Sequence, residues 1–307
     1  MKRLIAFIIS LTLIGTALTS CGAFGIGSGS GNGSNKGKSE TRNYGVYKLI
    51  TTYEGEVLGG TVEMGEFPQT KKADGVTISE EPLEDGYYLG SDGERYAKLK
   101  ATPNENLYDQ YKYGEEYFFK VEPILWRVAS IDGGIYFLVC QSVLCARRFD
   151  DNSLNYANSE LRAWLNGEFF DTAFSDEQFF TVLSTELDNS AESLKKEGIK
   201  EDYLQWIDSN PYYCENTTDK VFIRSYKELS YSGGSNVTDY ARATGYYGEN
   251  TGYSGARYDS WTRSPYWSNT IEVIVQTTGY SYGNILSCKP NNTKLGVVPC
   301  IKIPETK

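Results

Sequence analysis

Apolar and polar positions alternate in short runs along most of the chain, and helical spacing is confined to its middle. Residues 59–67 begin such an alternation, ending in Phe67-Pro68-Gln69, and predict a strand. Residues 117–131 alternate on both sides of Pro123 and predict a strand entering a sheet. Asp132-Gly133-Gly134 is a hairpin turn signal. The nearly continuous apolar run 135–144 then predicts a buried central strand.

Helical spacing follows. Leu161, Trp164, Leu165 and Phe169 fall on one face behind Asn158 or Ser159, either of which can cap. Ser175 and Gln178 make a capping box for a second helix, with Phe179, Val182 and Leu183 facing inward. Residues 188–211 are polar and predict a partly helical insertion. Residues 220–223 predict a short strand, and Ser225 with Glu228 another capping box. Residues 239–244 predict one or two helical turns, and 271–276 and 295–303 the last two strands. Strands outnumber helices and the helices sit centrally. The fold class is therefore α+β, a single domain of mixed or antiparallel sheet with a few short helices.

The first residues change the picture of location. Lys2 and Arg3 precede a mostly apolar stretch from Leu4 to Leu18. As a helix it would reach roughly 22 Å at about 1.5 Å per residue, short of a hydrocarbon core of about 30 Å. It suits the h-region of a secretory signal. Leu18-Thr19-Ser20-Cys21 resembles the bacterial lipobox, with small residues before a thiol that can carry diacylglycerol. Acyl chains hold a protein at a membrane by about 0.8 kcal/mol per buried methylene. Residues 22–39 are Gly, Ser and Asn for the most part and predict a slack tether reaching roughly 24 Å. The expected organisation is a signal peptide over 1–20, a lipidated Cys21 and tether over 21–43, and a globular domain over 44–307. The expected location is extracytoplasmic, on a bacterial cell membrane.

Composition narrows the chemistry. The net charge is -10, and no cluster of Lys and Arg follows Lys2 and Arg3, which argues against nucleic acid. The chain contains 0 histidines, so a Ser-His-Asp triad, a Cys-His pair and any His-ligated metal are excluded. No EF-hand pattern occurs, and no metal or cofactor is expected. Cys140, Cys145, Cys214, Cys288 and Cys300 follow Cys21. Export permits disulfides, an odd count leaves a thiol over, and Cys288 with Cys300 is the pairing considered first.

Several segments together carry a resemblance. They are Phe67-Pro68-Gln69, residues 121–128 (VEPILWRV), 145–149 (CARRF), 158–169 (NSELRAWLNGEF) and 173–177 (AFSDE). Residues 218–222 (TDKVF), 240–243 (YARA), Trp261-Thr262-Arg263-Ser264-Pro265 and 296–299 (GVVP) complete the series. Their order and spacing resemble the bacterial domain of unknown function 6273 over most of residues 60–304. The resemblance implies no activity, and it implies a fold akin to C-type-lectin-like and formylglycine-generating-enzyme-like proteins. Val298 stands where that family usually has Arg, which removes a basic residue from the terminal strand. The paired thiols by which formylglycine-generating enzymes handle copper and oxygen are not matched by the cysteine spacing.

Two sets of residues are candidates for ligand contact. Trp261 and Arg263 suit a pocket in which the guanidinium forks onto carboxylate or sulfate. They equally suit a core Trp and an Arg paired inside the fold, as do Arg162 and Trp164. Residues 231–282 are rich in Tyr, Gly, Ser, Asn and Thr, with Tyr240, Tyr246, Tyr247, Tyr253, Tyr258 and Tyr266 among them. That is the composition of binding loops, and Tyr rings stack on sugars. The reading is a non-catalytic module binding glycan or protein, with Trp261, Arg263, Tyr247, Tyr253 and Tyr258 at the site. The alternative is a carbohydrate-active enzyme with two carboxylates as acid and base.

Overall fold

The computed structural model describes residues 38–104, 107–195, 207–230, 236–247, 258–266, 272–278 and 285–306. Cys21, the stretch before it and most of the tether lie outside the described residues. Among those described, no helix is long and apolar enough to cross a membrane.

Eight strands form the main sheet. These are β1 (Thr41–Asn43), β2 (Lys48–Ile50), β3 (Thr61–Lys71), β4 (Tyr88–Leu89), β5 (Arg95–Lys100), β6 (Glu116–Asp132), β7 (Ile135–Cys140) and the C-terminal strand Cys300–Pro304. All pair antiparallel. β6 organises the sheet because it is long enough to hold different partners at its two ends. β3 runs along one side of it. On the other side β5 pairs with its first half and β7 with its second. Its burial alternates, with Val121, Ile124, Trp126 and Val128 inward, as a half-buried strand requires. Pro123 has no N–H to donate, and it lies opposite Glu66 beside a register shift in β3, where a ladder tolerates it. The β6–β7 turn is Gly133-Gly134, with φ of 55° and 76°. Both lie in the left-handed region that a two-residue hairpin of this hand needs.

The second sheet has five strands, in the order Ile285–Cys288, Val273–Thr278, Tyr258–Pro265, Gly296–Val297, Cys145–Ala146. Two expectations are corrected by it. The run 135–144 ends as a strand at Cys140. Ser142–Val143 then pairs parallel with Asn236–Val237, and Cys145–Ala146 crosses to the second sheet. The run 295–303 likewise divides around Val298-Pro299, with Gly296–Val297 in one sheet and Cys300–Pro304 in the other. Both segments change pairing partners along their length, so each is mostly apolar, and nearly continuous burial hides the change of partner. The strand expected at 220–223 is displaced. Thr217–Asp219 pairs with Thr185–Leu187, and of the apolar run Phe222 alone bridges, to Cys300.

The short helices start where their caps predict. Ser159 accepts from the Arg162 N–H and opens α1 (Glu160–Trp164). A wide π turn, Leu165–Phe169, follows, with Gly167 at φ -116° and ψ -105°, and then α2 (Phe170–Ala173). The reciprocal Ser175–Gln178 box opens α3 (Asp176–Thr181). α3 buries none of its own residues. Phe179 is half-buried, Phe180 is 82% exposed, and Val182 is buried just past its end. In the polar insertion a single turn, Ala191–Leu194, buries Leu194, and residues 196–206 lie outside the described residues.

One apolar core joins the two sheets and the helices, and Trp126, Phe149, Tyr156, Phe169 and Ile301 are essentially inaccessible within it. Trp126 also donates its indole N–H to Met64 O at 2.8 Å. Truncating such a ring typically costs about 3–5 kcal/mol.

Candidate functional site

The residues picked out by composition lie mostly inside the protein. Trp261, in the strand Tyr258–Pro265, is 2% exposed. It packs on Phe149 at 5.8 Å between ring centroids and donates its Nε1–H to Arg147 O at 2.7 Å. Arg263 is 4% exposed, and it donates to Ile223 O at 2.8 Å and to both oxygens of Glu228, at 2.5 and 3.0 Å. These are positions of the core and of an internal ion pair, and neither side chain offers a face to a ligand. Arg162 is similarly committed, to Asp219 and to Ala157 O. Tyr247 and Tyr258 are half-buried and pack on the core, and the Tyr247 hydroxyl accepts from Asn292 Nδ2 at 3.3 Å. Tyr253 lies outside the described residues. Cys288 and Cys300 are not bridged, and all five cysteines among the described residues are free thiols.

Several hollows open among the described residues. One of about 200 Å³ lies beside Lys48, Glu63, Glu66 and Gln178. Another, of about 220 Å³, is lined by Ser130, Asp132, Ile135, Phe137, Glu228 and Lys302 at the β6–β7 end of the main sheet. It holds two carboxylates, the number a glycosidase uses, but the electrostatics of Glu228 run the other way. Burial pushes the Glu228 carboxyl up, while Arg263 beside it more than reverses this and holds it below its ordinary value. A general acid needs a raised pKa. Glu228 is thus the partner of Arg263 before it is anything else.

A smaller hollow, a cleft of about 70 Å³, is lined by four aromatic side chains, Phe67, Trp164, Phe169 and Tyr240, together with Cys145, Ala146, Arg147, Glu168, Thr172 and Thr244. Phe67, from β3, meets Trp164 at 6.5 Å edge-on, Phe169 at 5.4 Å and Tyr240 at 5.4 Å edge-on, and Trp164 lies 5.1 Å from Phe169. Local structure sets each ring. The π turn places Phe169 on the side of Trp164 that faces the sheet. Tyr240 rides on the helix Asp239–Ala243, which Thr238 caps by accepting from the Ala241 N–H while donating to Leu144 O. Asp239 Oδ2 in turn accepts from the Lys71 N–H, which ties that helix to β3.

Charge enters at the rim. The Arg147 guanidinium lies 4.4 Å from the centroid of the Trp164 ring, a cation–π contact. Glu168 stands on the π turn. Both are exposed, both line the cleft, and neither forms a hydrogen bond or ion pair through its side chain with another described residue. Burial pushes the Cys145 thiol up to about 12, with Arg147 opposing and Glu168 adding. Burial likewise raises the Tyr240 phenol, with Cys145 and Glu168 adding and Arg147 opposing. At neutral pH the thiol and the phenol are therefore uncharged, and Cys145 is a small apolar wall rather than a thiolate nucleophile. The rim of the cleft offers one exposed cation and one exposed anion to a small group at its surface. Among the described residues no group of three or more Cys, Asp or Glu side chains is placed to hold a metal.

A family model described as a domain of unknown function, DUF6273, matches residues 134–305, more than half of the chain. The chain belongs to the DUF6273 family. The match begins later than the resemblance in the sequence suggested. Phe67 and the strand segment 121–128 fall outside it, and the segments from residue 145 onward fall inside. The cleft is therefore built mainly from DUF6273 residues, with β3 supplying one wall from outside the matched region. No curated protein and no solved structure matches the chain.

The parts of this cleft are present in the sequence, but their convergence is not. Phe67, Cys145, Arg147, Trp164, Glu168, Phe169 and Tyr240 all belong to segments singled out as the resemblance. Their shared signal was co-occurrence across four separate segments, and only folding shows that those segments converge.

Proposed function

We propose that this DUF6273 protein is a non-catalytic extracytoplasmic binding module, tethered to the membrane by lipid on Cys21, that takes a glycan or protein ligand in the aromatic cleft. The reading of place rests on the signal-like stretch, the Leu18-Thr19-Ser20-Cys21 run and the slack tether. The reading of activity rests on one observation. Four rings converge on a cleft whose rim carries Arg147 and Glu168, two opposite charges paired neither with each other nor with any other described side chain. Exposed ionic groups gain little from pairing, so leaving these two unpaired costs the fold little. A ligand with its own dipole supplies the missing partners. Glu168 is the single carboxylate among the described lining residues, and an acid–base hydrolase needs two.

The test has two arms. Cys21→Ser releases the protein from the membrane fraction, and metabolic labelling with palmitate marks the wild type alone. An equally firm membrane association of the variant sinks the anchor. The full chain is then passed over immobilised cell-surface glycans and envelope proteins. Retention that Glu168→Ala and Tyr240→Ala both abolish supports the cleft, and retention indifferent to both removes it.

A further inference from the structure

We propose that the end of the main sheet at which β1 begins docks on the membrane surface, with a zwitterionic phospholipid headgroup between Lys302 and Asp132. This goes beyond ligand binding in the cleft, and it rests on the Cys21 anchor proposed above.

Strand register gathers several segments at that end. β1 starts where β2 stops, with Thr41 opposite Ile50, and β3 starts opposite Arg127 of β6. The Gly59 N–H donates to Val128 O, which sets the β2–β3 loop beside the last residues of β6. β6 runs on to the Gly133-Gly134 turn, and the C-terminal strand ends there too, with the Glu305 N–H donating to Gly134 O. The chain also enters the domain here. Ser39 Oγ donates to Thr51 O at 2.8 Å and the Glu40 N–H to Thr51 Oγ1 at 2.9 Å, so residues 39–40 are pinned to the root of the β2–β3 loop. A flexible attachment at this end holds it near a surface at an effective concentration on the order of millimolar, where weak contacts suffice.

Two separate features of this end fit lipid. The first is apolar exposure. Tyr53 and Leu58 on the β2–β3 loop are 63% and 52% exposed, and Ile131 and Ile135 on the β6–β7 hairpin are 41% and 37% exposed. A Tyr ring among aliphatic side chains is at home at a headgroup boundary, its body in the apolar layer and its hydroxyl in water. The second is unspent charge in the hollow of about 220 Å³. Ser130, Phe137 and Lys302 form one row across three strands, and Asp132 and Ile135 lie in the next row. Lys302 and Asp132 are therefore two strands and two residues apart, roughly 12 Å between their backbones. Neither side chain forms a hydrogen bond or ion pair with another described residue, and the nearby Glu228 is already neutralised by Arg263. Lys302 can donate to a phosphate and Asp132 accept from an ammonium, and a phosphatidylethanolamine headgroup carries both.

Charge excludes the alternatives. A lone phosphate meets Asp132, and a lone ammonium meets Lys302. Glu54, Glu56, Asp132 and Glu305 outnumber Lys38, Arg127 and Lys302 at this end, so an anionic bilayer is repelled. A free amino acid has the right pair of charges but leaves the exposed apolar side chains without a partner.

Hydrogen–deuterium exchange of the full chain tests the docking, with the anchored wild type in phosphatidylethanolamine vesicles compared with Cys21→Ser in solution. Amides of residues 51–59 and 130–136 slow several-fold on the vesicles, and those of residues 164–169 do not. The double substitution Leu58→Glu with Ile135→Glu abolishes the slowing at an unchanged circular dichroism spectrum. Lys302→Glu, or phosphatidylglycerol in place of half the lipid, reduces it. Equal exchange in the two states overturns the docking and leaves the anchor. Slowing that survives the double substitution overturns the surface, and slowing that phosphatidylglycerol increases overturns the zwitterionic headgroup. Slowing that follows protein concentration without lipid makes a second copy the occupant and overturns the proposal. If Cys21→Ser also floats with the vesicles, the anchor fails, and the double substitution decides the docking by itself.

Discussion

Arg263 and Arg147 are the same side chain put to opposite uses. Arg263 is 4% exposed and held by Glu228 and a backbone carbonyl, so its charge is consumed inside the protein. Arg147 is exposed, rests on the Trp164 ring and spends none of its five donors on another described residue. A buried guanidinium must find a carboxylate before the fold is stable, whereas an exposed one can wait for a ligand. Chemistry-bearing residue types therefore mark a site only where the fold leaves them unspent. Trp261 links the two regions, because its indole N–H holds the backbone carbonyl of Arg147 from beneath.

The largest effect expected from this contrast is at the internal pair. Arg263→Ala or Glu228→Ala leaves a partner charge without compensation, at a cost of about 3–5 kcal/mol, read as a fall in the urea midpoint at constant slope. A loss below about 1 kcal/mol would show the pair to be dispensable. The pH dependence follows with its sign. The Glu228 carboxyl is held below its ordinary 4.5, so the unfolded chain takes up its proton first as pH falls. The stabilisation is present above about pH 4.5 and lost as pH drops through the folded value. Glu228→Gln flattens that acid limb, and an unchanged limb would assign it to other carboxylates.

Trp261→Phe comes next. It keeps most of the ring packing and removes the hydrogen bond to Arg147 O, costing about 1–2 kcal/mol. Its diagnostic effect is on ligand affinity, which falls several-fold because Arg147 loses its backbone support. Unchanged affinity at reduced stability would confine Trp261 to the core. The smallest effect on stability belongs to the cleft rim. Arg147→Ala costs about 0.5–1 kcal/mol, the value of an exposed cation–π contact, and Glu168→Ala stays within about 0.5 kcal/mol. A large destabilisation by either would show that the rim charges serve the fold after all.

Legibility in the sequence followed the locality of the signal. The caps at Ser159 and Ser175, the Gly133-Gly134 turn and the alternation of β6 are decided within a few residues, and the structure has each. The runs 135–144 and 295–303 were misjudged because each changes sheets midway, and a residue buried against either sheet is equally apolar. The burial of Trp261 and Arg263 was not legible for a related reason. Trp and Arg suit a pocket and an interior alike, and the alternative of an internal pair for Arg263 needed Glu228, distant in sequence, to decide it.

The amino-acid sequence alone determined the α+β class, the absence of histidine chemistry, the starts of the short helices and the membership in DUF6273, since these depend on composition, short-range pattern and motif order. Tertiary structure decided which charges are paired and which rings share a cleft. That outcome turns on β3, the π turn and the helix Asp239–Ala243 packing into one corner, and contacts between segments so far apart along the chain are set by how the whole core closes.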